Sequence, residues 1–270
     1  MANKPVDETA VVVQGTTEVV LPTDNQMIGF EGMSMDDIQL PIAKLIQPIM
    51  LGKEKYEGQK PGTLVNEMTN EVVPSSLVPL QIKDDKIMFP PQDEDKVSAF
   101  IATVASATGV TLTPEDLKAS YICRATDNLM GDRFGKCLGC GLAEWHGNVK
   151  PLCTKNINVM CLFEDEEIPT VIQFANTSHK HGKNFKQAAF MSKSHLFSRK
   201  YKLSISKKEE GKKLWYEMAL KPDGKVESQE EIVGYYKVLM QFRELFVRQL
   251  ESVVIQDDVV PMEKNAEGEY

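Results

Sequence analysis

A chain of 270 residues, 42% hydrophobic and 26% charged, can bury one sizeable core without disulfides, while its short, charge-interrupted apolar runs exclude the roughly 20-residue span of a membrane helix. The N-terminus lacks the basic-then-apolar pattern of a secretory signal, and four of the five cysteines fall between Cys123 and Cys153, which points to a metal site in a reducing cytoplasm rather than a secreted disulfide framework. The net charge of −8 disfavours nucleic acid only as an average: from His179 to Lys213 eleven Lys and Arg face only Glu209 and Glu210, leaving about +9 there and about −17 in the remainder.

Residues 1–25 are polar and read as a flexible N-terminal arm. The stretch from Asp36 to Met50, with apolar residues at Ile38, Ile42, Leu45, Ile46 and Ile49, predicts a short helix. Thr63 to Val65 and Thr69 to Val73 read as a hairpin around Met68-Thr69-Asn70, and Leu77 to Ile82 with Lys86 to Phe89 continue the strand pattern. Residues 96–120 form a poorly patterned insertion in which a helix is expected only after Thr113. Ile157 to Phe163 and Pro169 to Phe174 alternate as two strands around the acidic loop Glu164 to Glu167. A helix from Ser178 to Met191 follows, then strands at Phe197 to Ser206 and Leu214 to Leu220 joined by a lysine-rich turn. Ser228-x-x-Glu231 is a capping box opening a long amphipathic helix over 228–254, with Ile232, Tyr235, Leu239, Phe242, Phe246, Leu250 and Val253 on one face. Residues 255–270 form an acidic tail expected to stay disordered. These elements predict an α+β, mainly β fold. It is a small OB-like barrel of short strands spanning residues 26–254, carrying a zinc-stapled loop at 121–153 and the C-terminal helix.

The spacing Cys123-x13-Cys137-x2-Cys140-x12-Cys153 carries the strongest chemical signal. Glycines around the central pair let backbone amides turn toward thiolates, and four thiolates suit a tetrahedral, closed and therefore structural zinc ion. The plainer alternative is a set of unligated thiols in a glycine-rich loop, and His146, between the last two cysteines, is a substitute ligand for one of them. Cys161, inside an apolar strand, reads as core.

The basic stretch supplies Lys180, Lys183, Lys186, Lys193, Arg199, Lys200 and Lys202 to neutralise phosphates. Phe185, Phe190, Phe197, Tyr201, Trp215 and Tyr216 are the aromatic candidates for stacking on bases. Strand alternation puts Phe197, Arg199, Tyr201 and Leu203 on one face and Lys200 and Lys202 on the other. Arg124, Arg133, Lys136 and Trp145 on the cysteine loop extend the same interface. The competing reading makes the aromatics core and the lysines a solvated face. Phosphate-loop, dinucleotide, H-E-x-x-H and G-x-S-x-G motifs are lacking in the sequence, so no catalytic residue is expected.

The order Asp37-x3-Pro41-x2-Lys44-Leu45-x-Gln47, then Pro61-Gly62-x-Leu64-x-Asn66-x2-Thr69-x-Glu71-Val72, then the four-cysteine segment, then Asn176-Thr177-Ser178-x3-Gly182-Lys183 resembles a family of bacteriophage proteins from replication and recombination gene clusters. The resemblance implies an oligonucleotide-binding barrel that binds single-stranded DNA without sequence readout, RNA being an open alternative, and an acidic tail that recruits replication or recombination proteins. A protein-interaction factor, binding a replication or transcription enzyme through the zinc loop, is the other class the residues allow.

Overall fold

β-branched and alternating runs dominate the middle of the chain, and they assemble into one strongly bent sheet. The structure, a computed structural model, describes residues 10–11, 19–20, 38–51, 54–91, 93–144 and 150–252. Near the N-terminus a separate small unit holds β1 (Ala10–Val11) antiparallel to β2 (Val19–Val20). The rest of the arm expected at 1–25, the acidic tail at 255–270, and Trp145 and His146 lie outside the described residues.

Among the described residues the main sheet has eight strands: β3 (Ile42–Leu45), β4 (Leu64–Asn66), β5 (Ser76–Met88), β6 (Cys123–Ala125), β9 (Cys153–Phe163), β10 (Thr170–Phe174), β11 (Arg199–Glu210) and β12 (Lys213–Lys225). They run in the order β12-β11-β5-β9-β10-β3-β4, with β6 on the free edge of β5. All pairs are antiparallel except β10 with β3. The two expected strands at 77–82 and 86–89 are one 13-residue strand, β5, pairing with β9 from Leu77↔Phe163 to Met88↔Cys153. A register shift between Pro79 and Gln81 bends it, as an extra residue in one strand does. The result is a curled half-barrel of α+β, mainly β class.

Among the described residues three α-helices pack on this sheet: α1 (Glu94–Thr108), α2 (His179–Met191) and α3 (Gln229–Ser252). Two local expectations are corrected. The stretch expected as a helix before Met50 is strand β3 followed by a short 3-10 turn at Pro48–Met50. Pro41 and Pro48 leave too few uninterrupted residues for a helix, while the edges of β10 and β4 offer partners on both sides. The insertion at 96–120 holds its helix at the start, as α1, with only a 3-10 turn at Asp116–Lys118. Asp93 precedes α1, Glu94 and Asp95 favour its first turn, and Gly109 in the left-handed region (φ 73) ends it. Alanines on its outer face, at Ala99, Ala102 and Ala107, blurred the helical period. By contrast α2, β10 and the start of α3 follow the sequence pattern, and the Ser228 hydroxyl accepts the Glu231 N–H.

The inner face of the half-barrel carries the main core, in which Ile157, Val159, Cys161 and Phe163 of β9 meet Ile172, Phe174, Tyr201, Met218 and Leu220. Helix α2 closes over it. Phe185 is buried edge-on against Tyr201, with ring centroids 5.0 Å apart, and the bare Cα of Gly182 lies against Phe174. A second core joins Phe100 and Val104 of α1 to Met88, Leu112, Ile122, Cys123 and Leu142. The insertion is therefore the roof of the cysteine segment.

Candidate nucleic-acid interface and cysteine cluster

Cys123 opens β6 and Cys153 opens β9, and both stand in register with Met88 of β5, one on each side. Two residues thirty positions apart thus share one face of the sheet with a strand between them, about 10 Å apart at Cα by ordinary strand spacing. That separation is too wide for a disulfide. A small hairpin, β7 (Met130–Gly131) with β8 (Gly135–Lys136), leads into the knuckle that brings Cys137 and Cys140 to the same place. All four cysteines line one small cavity together with Phe134, Leu142 and Lys86. Gly131 is required there, because a Cβ would come within 2.7 Å of the Cys123 sulfur.

Burial pushes up the Cys123 thiol, opposed by backbone amides of Arg133 and Phe134. Burial likewise raises Cys137, against the pull of Lys86. Cys153 is pushed up to about 12, by burial first and then by the three neighbouring cysteines. Backbone N–H groups aimed at sulfur suit thiolates, and the mutual influence of the four groups reflects their proximity. Among the described residues no three His, Cys, Asp or Glu side chains are gathered at the spacing of a metal's ligands. Cys161 lies in the main core, its sulfur 3.3 Å from the Thr170 carbonyl oxygen, and takes no part.

The folded chain divides the basic stretch between two sides of the sheet. Tyr201 points inward to Phe185, so Lys200 and Lys202 point outward, where Lys200 approaches Glu231 of α3 at 3.8 Å. Lys183, Lys186 and Phe190 recur at helical spacing on the solvent side of α2. Phe190 is 83% exposed, Lys193 follows just past the helix, and His179, one turn before Lys183, has its pKa lowered by burial first and then by Lys183. Lys155 of β9 stands near enough to His179 to act on its charge, and Lys186 forms an ion pair with Asp84. Lys183, Lys193 and Lys155 make no ion pair among the described residues.

Several residues expected at the interface serve the fold instead. Tyr201 is buried among core side chains. The Arg124 side chain, 2% exposed, pairs at 3.4 Å with Asp85, which is fully buried. Burial raises Asp85 and the Arg124 charge opposes that rise. Neither Tyr201 nor Arg124 presents a surface to a nucleic-acid strand. Arg133 is tied to Asp116 at 2.7 Å, and the Arg199 Nε donates to the Ser194 hydroxyl at 3.2 Å. Phe185 and Phe197 are likewise buried.

Lys180 and Trp215 are brought together, but around a residue that sequence reading missed. The buried carboxylate of Glu217 accepts from Lys180 Nζ at 2.9 Å and from Trp215 Nε1 at 3.2 Å, and lies 2.9 Å from His181 Nε2. Burial alone would raise Glu217, but the donated bonds from His181, Lys180 and Trp215 win and hold it at about 2. The available signal was an acid interrupting the apolar run Leu214 to Leu220 beside two aromatics.

A protein-family model described as "Pam3 phage gp34-like protein" matches residues 14–249. No curated protein and no solved structure matches the chain.

Proposed function

We propose, from the premise that this chain belongs to the Pam3 phage gp34-like protein family, that it is a sequence-nonspecific single-stranded DNA-binding protein of phage replication or recombination, with an OB-like half-barrel held by a structural zinc ion. The observation that carries this reading is the outer face of α2. A large aromatic ring stands 83% exposed on the helix face that carries Lys183 and Lys186, with Lys193 just past the helix end and Lys155 near His179 at its start. Burying such a ring in the core would be the ordinary fate of a phenylalanine. Exposed between cations it offers a base a stacking platform while the lysines meet phosphates. Nothing in this arrangement reads base edges, which fits binding without sequence preference.

Zinc would be held by Cys123, Cys137, Cys140 and Cys153. Four cysteines lining one cavity, with backbone amides aimed at the Cys123 and Cys137 sulfurs, supply the donor set of a closed tetrahedral site, which metal binding would draw in from the wider spacing of the described side chains. Bound zinc supplies no reaction here; it would fix the knuckle to β6 and β9 and hold the thiols ionised against the burial that raises them. The acidic segment 255–270 would engage replication or recombination proteins.

The test is fluorescence anisotropy of a labelled oligothymidine at two salt concentrations, with oligouridine alongside and a zinc assay on the same sample. Tight binding that weakens steeply with salt supports the proposal; a folded, zinc-bearing protein that binds neither strand at low salt sinks it.

One observation favours the second reading, a protein-interaction factor. Leu138 at the tip of the knuckle is 89% exposed and Leu129 on the neighbouring turn 68%, more apolar surface than a purely structural loop needs. Capture of a replication enzyme by this loop, lost on Leu138→Asp, with no nucleic-acid binding, is the outcome that reading expects.

A further inference from the structure

Lys86 of β5 stands in register with Ala125 of β6 on one side and with Lys155 of β9 on the other. Two lysines directly opposite in an antiparallel pair repel each other. Lys155 is exposed, where water screens its charge, but Lys86 is half-buried, and a cation drawn out of water calls for a counter-ion. Among the described residues no carboxylate pairs with it. Its side chain instead lines the cysteine cavity, where among the described residues it is the only cationic group. Strand alternation accounts for the placement. Lys86 comes two residues before Met88, which stands between Cys123 and Cys153, so the lysine lies on the face of the sheet that carries those two cysteines.

The turn between β6 and β7 holds the ammonium in place. Asn128 takes the left-handed conformation, φ 62, which asparagine adopts more readily than most residues with a side chain. The Asp127 carboxylate fixes this turn by accepting the N–H groups of Leu129 and Met130 at 2.7 and 3.0 Å. The Asn128 carbonyl then accepts from Lys86 Nζ at 2.8 Å. A carbonyl offers a dipole but no charge, and it engages one of the three donors of an ammonium. The other charges near the cysteines have the opposite sign: Asp132 disfavours the Cys123 thiolate and Asp127 that of Cys137.

Four thiolates around one divalent cation leave an excess of negative charge, here in a pocket otherwise lined by Phe134, Leu142 and Ala143. An uncompensated charge in such surroundings is costly. We infer that Lys86 is the built-in counter-ion of the cysteine cluster, its ammonium offsetting that excess and so raising the affinity of Cys123, Cys137, Cys140 and Cys153 for zinc. The inference rests on the zinc reading above and adds to it a positioning residue that touches no metal and acts through the thiolates.

Competition between the metal-stripped full chain and a chromophoric chelator for added zinc tests this, with cobalt(II) as a spectroscopic probe of thiolate ligation. Lys86→Met keeps the apolar stem and removes the charge. Lys86→Gln also keeps a donor for the Asn128 carbonyl, and Lys86→Arg keeps the charge. Wild type is expected to bind one zinc, with the dissociation constant raised about tenfold or more in Lys86→Met and Lys86→Gln and returned to within about threefold of wild type in Lys86→Arg. At saturation every variant shows the wild-type cobalt–thiolate absorption, because the donors are unchanged. If Lys86→Met does not fold, Lys86→Gln carries the same comparison. A wild type that takes up no zinc overturns the zinc reading and this inference with it. A wild type that binds zinc, with Lys86→Met and Lys86→Gln binding as tightly, overturns the inference alone. Weakening that Lys86→Arg does not recover overturns it too, since the lysine then serves the fold rather than the charge.

Discussion

The side-chain amide of Gln47 pairs with the backbone of Tyr216 as a neighbouring strand would: Nε2 donates to the Tyr216 carbonyl and Oε1 accepts the Tyr216 N–H, both at 2.9 Å. Gln47 lies just past β3, near one end of the strand order, and Tyr216 lies in β12, at the other end. One side chain thus ties together the two margins of the curled sheet. Gly62 completes the contact: a side chain there would run into the Tyr216 ring, and its φ of +82 already favours glycine.

Gln47→Ala removes both bonds and leaves a partly buried N–H and carbonyl unmatched, a loss of about 2 kcal/mol readable by urea unfolding. Gln47→Glu is expected to be worse, because a carboxylate can accept from the N–H but repels the carbonyl oxygen. Equal stability of wild type and Gln47→Ala would mean that the sheet margins are held by core packing alone.

The Glu217 cluster predicts an acid-sensitive contribution to stability. The carboxyl is held at about 2 against an ordinary 4.5. A depressed carboxylate stabilises the fold in full above the unfolded value and loses that contribution as pH falls from about 4.5 to about 2. Glu217→Gln should therefore melt lower than wild type at pH 7, and the gap should close as both are taken toward pH 2. A gap that stays constant across that window would mean the charge is not what matters at this site.

On the proposed interface, Phe190→Ala should weaken oligothymidine binding by about 1–3 kcal/mol, the scale of one stacked base, with stability unchanged. Lys183→Ala should also lower the salt slope by about 0.7. Lys200 and Lys202 lie on the other side of the sheet, so their joint change to Glu should leave binding intact if the α2 face is the site. Collapse of binding in that double variant instead would move the interface to the α3 side.

Zinc content separates the cysteines. One equivalent of metal is expected in the purified protein, unchanged in Cys161→Ser and lost in Cys137→Ser or Cys153→Ser, with a lower melting temperature on chelation. Retention of a full equivalent in Cys153→Ser would exclude the four-thiol set.

Local pattern by itself determined much of this molecule. The alternation in Ile157 to Phe163 and Pro169 to Phe174, the helical period of α2 and the Ser228 capping box each specify an element through neighbours a few residues away. The cysteine spacing likewise marked the four residues that come to line one cavity. Tertiary structure decided what depends on distant partners. Residues 42–45 became a strand because β4 and β10 flank them, overriding a helix-like spacing, and α1 found its role only as the roof over Cys123. The sheet also divided one continuous basic stretch between two faces. It sent Tyr201 and Arg124 inward, turned Lys180 and Trp215 toward Glu217, and left Phe190 outside among lysines. Sequence carries charge and apolarity along a line, whereas burial and pairing are set by residues up to 209 positions away, and those partners decide which cation remains available to a ligand.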